Sequence, residues 1–221
     1  MKFHLVMIVK DEAPVIERCL ASVRPVISKW TIVDTGSTDS TKQLIWNALK
    51  DINGSLYDRP WVNFEHNKSE AIRLAEQEPG PEYILHMDAD DVLLVPSGWT
   101  VENLTKDAYN IEVRHGSIRH HRPHIFRAGH GFKFVGAVHE YLTSNKPHQI
   151  DFLDGIVYQC IGGGNRGTDS VLKFQRDAEM LEKALEKNPD EPRNTFYLAQ
   201  SYKDLAGEMS ARVPIRHHSC W

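Results

Sequence analysis

The sequence predicts an α/β protein with three layers, α/β/α, built around a mixed sheet and followed by a short helical extension at the C-terminal end. Residues 3–95 alternate short apolar runs with stretches of helical periodicity, which is the pattern of a parallel sheet covered by helices. Residues 108–160 contain further apolar runs joined by short turns, which indicates antiparallel strands. From residue 171 the apolar spacing is helical.

The first strand and the first helix have the clearest patterns. Residues 3–9 (FHLVMIV) are continuously apolar, which predicts a strand buried on both faces. The helix that follows ends before Pro25, because proline cannot continue it. Its apolar face consists of Val15, Ile16, Cys19, Leu20 and Val23.

The rest of the first half repeats this alternation of strand and helix. Short β-branched runs predict strands, and apolar residues at spacings of three and four predict helices. The predicted elements are strands at 30–35 and 82–88, helices at 36–50 and 67–77, and a turn at Asn53–Gly54. Together they predict the parallel part of the sheet.

The second half predicts strands first and helices afterwards. Four apolar runs predict strands that extend the far side of the sheet, at 108–116, 122–129, 132–142 and 150–160. Residues 171–187 and 193–207 predict two helices, with Gly207 as the C-cap of the second. We therefore expect one α/β domain at residues 1–165 and a helical extension at residues 166–221.

Composition excludes several classes of protein. The chain has 221 residues, a formal charge of -4, 41% apolar residues and 25% charged residues, which is ordinary for a soluble globular protein. This mild acidity argues against a nucleic-acid partner. No apolar run approaches the roughly 18 residues of a membrane span. Three widely spaced cysteines indicate neither a disulfide framework nor a zinc knuckle, so we expect a reducing, cytoplasmic location.

Three carboxylates follow a buried strand in the segment YILHMDADDVLL. Asp88, Asp90 and Asp91 come at the carboxyl end of that strand, where open α/β sheets bind ligands. Adjacent anions repel one another unless a cation or hydrogen-bond donors hold them, and carboxylate oxygens suit Mg²⁺ or Mn²⁺. The alternative is a turn of solvated aspartates that closes the strand.

A second acidic residue ends a neighbouring strand. Asp34 lies in VDTGSTDST, next to Gly36 and to exposed backbone amides. Its carboxylate can accept a base N–H, and Gly36 lets a nucleotide approach the backbone. The alternative is an ordinary loop with a well-capped helix. Two acidic strand ends in one sheet favour a site for a nucleotide and a metal ion.

These motifs resemble a known family. The segments MIVKDE, IVDTGSTDST, NFEHNKSEAIRLA and YILHMDADD occur in an order and at a spacing similar to family 2 of the glycosyltransferases, across residues 3–95. The resemblance implies the GT-A fold, a Rossmann-like fold of nucleotide-diphospho-sugar transferases. It also implies an enzyme of the hexosyltransferase type, which moves a sugar from a nucleotide-sugar donor, usually UDP-linked, with Mn²⁺ or Mg²⁺ and with inversion at the anomeric carbon.

A weaker resemblance covers the second half. FVGAVHEYL and the segment from Lys173 to Gly207 are similar to the branch of the family that ends in tetratricopeptide-type helices. The resemblance implies a glycan, lipid or protein as the acceptor. A single tetratricopeptide-like unit cannot bury its own apolar face, so we expect it to pack on the catalytic domain or on a second chain, which makes self-association possible.

The resemblance also implies roles for individual residues in donor binding. Asp34 matches the residue that reads the base, and Asn67 and Lys68 match an Asn-Arg pair near the diphosphate. Lysine replaces arginine there, so a bidentate contact becomes a point charge. The remaining residues matched or placed at the nucleotide are Val9, Lys10, Glu12, Gly36, Ser37 and Asp88.

The implied metal and catalytic residues lie in two segments. Asp88 and Asp90 match the metal-binding Asp-x-Asp pair, and Asp91 in the same turn is expected to orient the sugar. In GAVHEYL, Glu140 is the candidate catalytic base and His139 a third metal ligand or a phosphate contact. In an extended strand the two would point to opposite faces, so they share one site only if the strand ends or bulges there.

The sequence also bears on two alternative functions and on one glycine-rich loop. A sugar nucleotidyltransferase would need a glycine-rich loop after the first strand, and VKDEAPVIER has no glycine. A non-catalytic adaptor with the same fold is the other rival, although both Asp88 and Asp90 are present. Arg166, in the glycine-rich segment 161–170, can close over a diphosphate or lie on the surface.

Overall fold

The computed structural model describes residues 2–164 and 169–212, and the side chains of 211 and 212 are left out of the description. The strands are β1 Phe3–Val9, β2 Ile27–Asp34, β3 Asn53–Asp58, β4 Tyr83–His86, β5 Val92–Leu94, β6 Ala108–His115, β7 Ile118–Arg127, β8 Phe132–Val135, β9 Tyr141–Ser144 and β10 Ile150–Cys160. The helices are α1 Ile16–Val23, α2 Thr41–Leu49, α3 Phe64–Glu76, α4 Ser170–Lys187 and α5 Pro192–Arg212, and a 3₁₀ turn covers Arg24–Val26.

Eight of these strands form one mixed sheet in the order β3-β2-β1-β4-β7-β6-β10-β5. The first four are parallel, β7 is antiparallel to both β4 and β6, and β5 is antiparallel to β10. Strands β8 and β9 form a separate antiparallel pair. The predicted α/β fold with a mixed sheet is therefore confirmed, in the GT-A form that the resemblance implied.

Each face of the sheet has its own apolar core. Leu5 and Met7 pack with residues of α1 and α2 on one face, whereas Val6 packs with residues of α3 on the other. Successive side chains of a strand point to opposite faces, so the continuous apolar run of β1 is required to cover both. The helices on the two faces give the three layers.

The predicted turn at Asn53–Gly54 is wrong, because these residues begin β3. A Cβ atom built on Gly54 would lie 2.3 Å from the ring of Trp30. The glycine therefore makes room for the buried indole on the neighbouring strand β2, and its conformational freedom is not what the site requires. Sequence pattern alone does not separate these two uses of glycine.

The antiparallel half differs from the prediction in three ways. The strand predicted at 132–142 is two strands, β8 and β9, and residues 136–140 form the loop between them. Strand β10 runs parallel to β6, not antiparallel to it. Strand β5 has only three residues and was not predicted.

The chain divides into two compact units, residues 1–135 with 140–165 and residues 136–139 with 166–221. In the second unit, Asp169 caps α4 by accepting from the amides of Val171 and Leu172, and Leu181 is buried with the segment 136–139. Residues 165–168 lie outside the described ranges, so the domain boundary at 165/166 stays a prediction.

The last described helix is longer than expected. Gly207 was predicted to end it, but α5 continues through Gly207 to Arg212. Phe196 and Met209 are exposed on this helix, and self-association through it stays a prediction. Within the described residues, no helix is both long enough and apolar enough to cross a bilayer.

Candidate active site

The carboxyl ends of β1, β2 and β4 meet at one edge of the sheet, because these strands are adjacent and parallel. Val9, the last residue of β1, is buried and pairs with Asp34, the last residue of β2. Asp88 follows β4 after one intervening residue. The two acidic strand ends predicted from the sequence therefore lie on either side of β1.

Asp34 is fully buried, and only one of its two carboxylate oxygens has hydrogen-bond donors. Its Oδ1 accepts from the amides of Gly36 at 2.9 Å and Ser37 at 2.7 Å. Its Oδ2 is buried and has no hydrogen-bond partner among the described residues. Gly36 has a φ of +109°, and no heavy atom lies within 4 Å of a Cβ built there. A buried acceptor without a donor is unfavourable, so this oxygen is suited to a ligand N–H.

The two loops beside Asp34 are tied to each other. The amide of Asp11 donates to the hydroxyl of Ser37 at 2.9 Å, and the carboxylate of Asp11 accepts from the amide of Thr38 at 2.6 Å. The amide of Glu12 donates to the hydroxyl of Thr41 at 2.8 Å. Asp11 adopts a φ of +53°, which these bonds hold. Lys10, just before it, is exposed at the same edge.

Lys68 joins two carboxylates at this edge. It extends from α3 with a side chain only 6% exposed, and its Nζ donates to Asp88 Oδ1 at 2.8 Å and to Glu140 Oε1. Burial alone would lower the pKa of Lys68, but Asp88 and Glu140 raise it. Burial likewise favours the protonated acids, but Lys68 holds the pKa of Asp88 well below its usual range and lowers that of Glu140. All three groups are charged at neutral pH.

A tyrosine and two histidines lie next to Asp88. The hydroxyl of Tyr158 accepts from the amide of Asp88 at 3.1 Å and donates to its Oδ2 at 3.3 Å. The ring of His124 stacks on Tyr158 at 4.1 Å, and His86 Nε2 lies 3.9 Å from Asp88 Oδ1. Burial, followed by the charge of Arg122, lowers the pKa of His124 to about 4.

His124 and Tyr158 are not among the site residues predicted from the sequence, although both lie at Asp88. A bulge in the pairing of β6 and β7 falls at His124, and the residue is buried. Tyr158 directly follows the apolar pair Ile156 and Val157 near the end of β10, and a hydroxyl in that position is the local signal that could have marked it. Both side chains act on Asp88 through strand pairings that are distant in sequence.

Asp90 and Asp91 differ in what holds them. Asp91 Oδ1 accepts from the amides of Ile161 at 2.9 Å and Gly162 at 3.4 Å, so it fastens the loop after β10. Burial, and then the charges of Asp91 and Asp88, raise the pKa of Asp90. A Cβ on Gly164 would lie 2.6 Å from Glu12 Oε2 and 3.1 Å from Asp90 Oδ2, so both carboxylates flank this glycine.

The donor set fits a hard divalent cation that is completed by ligand oxygens. Asp88 and Glu140 contact the Lys68 ammonium, and Asp90 and Asp91 follow Asp88 closely in the chain. Burial first, and then the charges of Asp91 and Asp88, raise the pKa of Asp90. No group of three His, Cys, Asp or Glu side chains suited to a metal ion occurs within residues 2–164 and 169–212. Mg²⁺ is commonly held by one or two carboxylates together with substrate phosphates, which matches this arrangement.

Two predicted residues have other contacts. The amide of Asn67 donates to Pro60 O at 3.0 Å and accepts from Val62 N at 2.9 Å, so it fastens the loop before α3. His139 has a φ of +55° and belongs to the second unit, where its ring stacks on Tyr197 at 4.3 Å. Arg166 lies outside the described residues.

Comparison with known families gives one match that covers more than half of the chain. The model of Glycosyl transferase family 2 matches residues 4–132. This range includes β1 to β7 and the edge that carries Asp34, Lys68 and Asp88.

Two curated proteins are similar over parts of their length. A TPR repeat-containing protein of Synechococcus elongatus is 35% identical over 97 residues, which are 43% of this chain and 22% of that protein. The SPbeta prophage-derived glycosyltransferase SunS of Bacillus subtilis is 24% identical over 207 residues, which are 88% of this chain and 47% of that protein. The matches therefore span less than half the length of these relatives.

Solved structures with a similar fold are more distant. The TarS fragment of S. aureus in complex with UDP-GlcNAc has a TM-score of 0.48 at 13% identity, covering 97% of this chain and 77% of that one. Mannosyltransferase PcManGT from Pyrobaculum calidifontis, in complex with GDP-Man and Mn²⁺, has a TM-score of 0.48 at 14% identity, covering 96% and 76%.

Proposed function

Because the chain belongs to glycosyl transferase family 2, we propose that it transfers a sugar from a nucleotide-diphosphate sugar, with UDP as the first candidate nucleotide, to an acceptor hydroxyl. One observation carries this proposal. The buried and unpartnered Oδ2 of Asp34 lies at the same edge of the sheet as the charged cluster of Lys68, Asp88 and Glu140. The Asp34 oxygen suits the N–H of a nucleobase, and the charged cluster suits a diphosphate and its metal ion.

The donor is proposed to lie across the end of β1. Asp34 Oδ2 accepts an N–H of the base, and the diphosphate lies on the Asp88 side, two strands away. The open space above Gly36 supports close approach of the nucleotide. The other residues proposed to line the donor pocket are Val9, Lys10, Glu12, Ser37 and Lys68. Asn67 acts on it through the loop that it fastens.

Asp88 and Asp90 are proposed to hold Mn²⁺ or Mg²⁺ together with the phosphate oxygens of the donor. When bound, the ion would neutralise charge on the leaving diphosphate. The position of both carboxylates just after β4, and the pKa of Asp90, which burial and the charges of Asp91 and Asp88 raise, support this assignment. The role of His139 as a third ligand stays a prediction, because its ring is stacked within the second unit.

Glu140 is proposed to be the base. The acceptor oxygen bonds to the anomeric carbon while the bond from that carbon to the phosphate oxygen breaks. The hydroxyl proton passes to Glu140, and the nucleoside diphosphate leaves with the electron pair. This single in-line displacement inverts the anomeric centre. Glu140 is ionised, as a base must be, and its contact with Lys68 keeps it at the edge that carries Asp88. Asp91 orients the sugar indirectly, through the loop that it fastens.

Calorimetric titration of UDP tests the proposal. UDP is expected to bind with Mn²⁺ and to lose most of its affinity with a chelator or in Asp90→Asn. Asp151→Asn, which removes an exposed carboxylate from β10, is the matched control and should bind like the wild type. Failure of UDP, GDP, CDP and dTDP to bind would overturn the proposal. Binding of UDP without release of UDP from any UDP-sugar would favour the non-catalytic adaptor.

A further inference from the structure

The β6–β7 hairpin is a basic segment in an acidic chain. Residues 114–122 contain three arginines and three histidines and no aspartate or glutamate, whereas the whole chain has a formal charge of -4. Such a concentration of positive charge on one hairpin can attract anionic ligands. Its two faces differ in how this charge is compensated.

On one face the charge is partly compensated. Arg114 lies opposite Arg119 in the ladder, and Glu112 lies opposite His121, so these four share a face. Glu112 Oε1 is 2.8 Å from Arg114 Nε and 3.8 Å from Arg119 Nη1. This carboxylate lowers the net charge of the face.

On the other face the charge has no counterpart. Arg122 lies opposite Ile111 and His120 opposite Val113, so Arg122 and His120 share this face. Arg122 is exposed and makes no ion pair and no side-chain hydrogen bond within the part of the chain that the structure describes. Strand residues two apart lie next to each other on one face, so the Arg122 guanidinium is a neighbour of the His120 ring. Burial, and then the charge of Arg122, lower the pKa of His120.

Strand β7, which carries both residues, is next to β4 on the side away from the nucleotide. The sheet order places β2, which carries Asp34, on one side of β4, and places β7 on the other. A donor that lies from Asp34 to Asp88 therefore presents its sugar toward β7. The charge of Arg122 also acts on His124 and His86, the two rings next to Asp88.

We propose that Arg122 and His120 form an anion subsite for the acceptor, which carries a phosphate or carboxylate near the hydroxyl that receives the sugar. This inference rests on the proposed function, because the acceptor side is defined by the direction of the donor. A guanidinium binds either anion through two parallel hydrogen bonds, and an adjacent imidazole adds a third. The diphosphate of the donor is served by Lys68 and the metal ion, which leaves Arg122 for the acceptor.

The test uses three small probes on the full chain. Glycerol 3-phosphate, glycerate and glycerol are titrated with UDP and Mn²⁺ at saturation, so that the donor subsite is filled, and the NMR signal of the His120 Cε1–H group reports binding. The two anions are expected to shift this signal, whereas glycerol should leave it unchanged. The anion that binds more tightly shows whether the acceptor carries a phosphate or a carboxylate. Absence of a shift with both anions would overturn the inference.

Matched variants show whether Arg122 is the cause. Arg122→Gln is expected to weaken anion binding about tenfold, the order expected for one charge-assisted contact. Arg114→Gln, on the opposite face of the same hairpin, should leave it unchanged. Equal weakening by both variants would mean general attraction of anions and would overturn the subsite. UDP titration of Arg122→Gln confirms the fold.

If UDP does not bind even the wild type, the proposed function fails, and the anions are then titrated into the protein alone.

Discussion

At the scale of single residues, the Lys68 ammonium sets the charge of two acids. Replacement by methionine leaves Asp88 and Glu140 buried without a cation, so the pKa of both should rise. We expect Lys68→Met to lower kcat by about 100-fold and to move the acidic limb of the kcat/KM profile up by about one pH unit or more. Lys68→Arg keeps a cation and should keep the limb in place. An unchanged acidic limb in Lys68→Met would contradict this account.

The unpartnered oxygen of Asp34 gives a second residue-scale prediction. Asp34→Asn can still accept from the amides of Gly36 and Ser37 through its oxygen, but it offers an NH₂ where the ligand needs an acceptor. We expect the fold to persist and UDP affinity to fall by about 2 kcal/mol, as for a hydrogen bond to a charged group. Calorimetry measures the affinity and circular dichroism the fold. Wild-type affinity in Asp34→Asn would place the base elsewhere.

Candidate site residues can be predicted from the sequence where the signal is local. Asp34 and Asp88 are charges at the ends of apolar strands, and topology alone brings such ends together. The supports of Asp88 could not be found in this way. Tyr158 reaches it from the far side of the sheet, and His124 turns inward at a bulge whose position depends on pairing with β6. Such contacts depend on register, which local pattern does not specify.

At the scale of elements, Gly54 tests why β3 begins where it does. Gly54→Ala places a methyl group against the Trp30 ring, so we expect a loss of about 1–3 kcal/mol in the free energy of unfolding, the range for overpacked cores. Urea denaturation measures it. The loss should shrink in a Trp30→Leu background, because the clash requires the indole. Equal losses in both backgrounds would mean that the ring is not the cause.

Gly207 makes the opposite prediction for α5. It lies inside a helix, and no heavy atom outside the helix's own backbone lies within 4 Å of a Cβ built there. Gly207→Ala should therefore stabilise the helix by about 0.5–1 kcal/mol through helix propensity alone. Thermal unfolding followed at 222 nm measures the gain. A loss of stability would indicate that the helix ends at this residue, as the sequence predicted.

The predictions of strands and helices were wrong where a glycine was taken to mark the end of an element. Gly54 and Gly207 were assigned to a turn and a cap, but one accommodates a ring and the other lies in a helix. The reverse error occurred at Gly136, where an apolar run was extended through a real break between β8 and β9. The long apolar strands and the helices of high periodicity were predicted correctly, because burial on both faces leaves a continuous signal.

At the scale of the whole molecule, buried neutral histidines make stability depend on pH. Burial is the main cause that lowers the pKa of His4 and His124 from 6.5 to about 4. Between these values the unfolded chain binds more protons, so stability is full above pH 6.5 and falls as the pH drops toward 4. Each histidine contributes at most about 3 kcal/mol to this loss. Urea midpoints from pH 7.5 to 4.5 measure it.

A variant separates this effect from general acid denaturation. His124→Gln removes one titrating group, so its urea midpoint should depend less on pH across the same window, even if the variant is less stable at pH 7.5. Replacement of the exposed His66 by glutamine is the control and should keep the wild-type slope. Identical slopes in all three proteins would assign the acid sensitivity to other groups.

In the proposed mechanism, the ion pair between Lys68 and Glu140 has a consequence for the reaction of water with the donor. An ionised Glu140 that already accepts from an ammonium, and whose pKa is lowered, is a poor base for a stray water molecule. An acceptor that binds in the site can draw this carboxylate into a productive contact, but a small molecule with no other contacts cannot. The pairing of Lys68 with Glu140 would therefore slow hydrolysis of the sugar donor as long as no acceptor is bound.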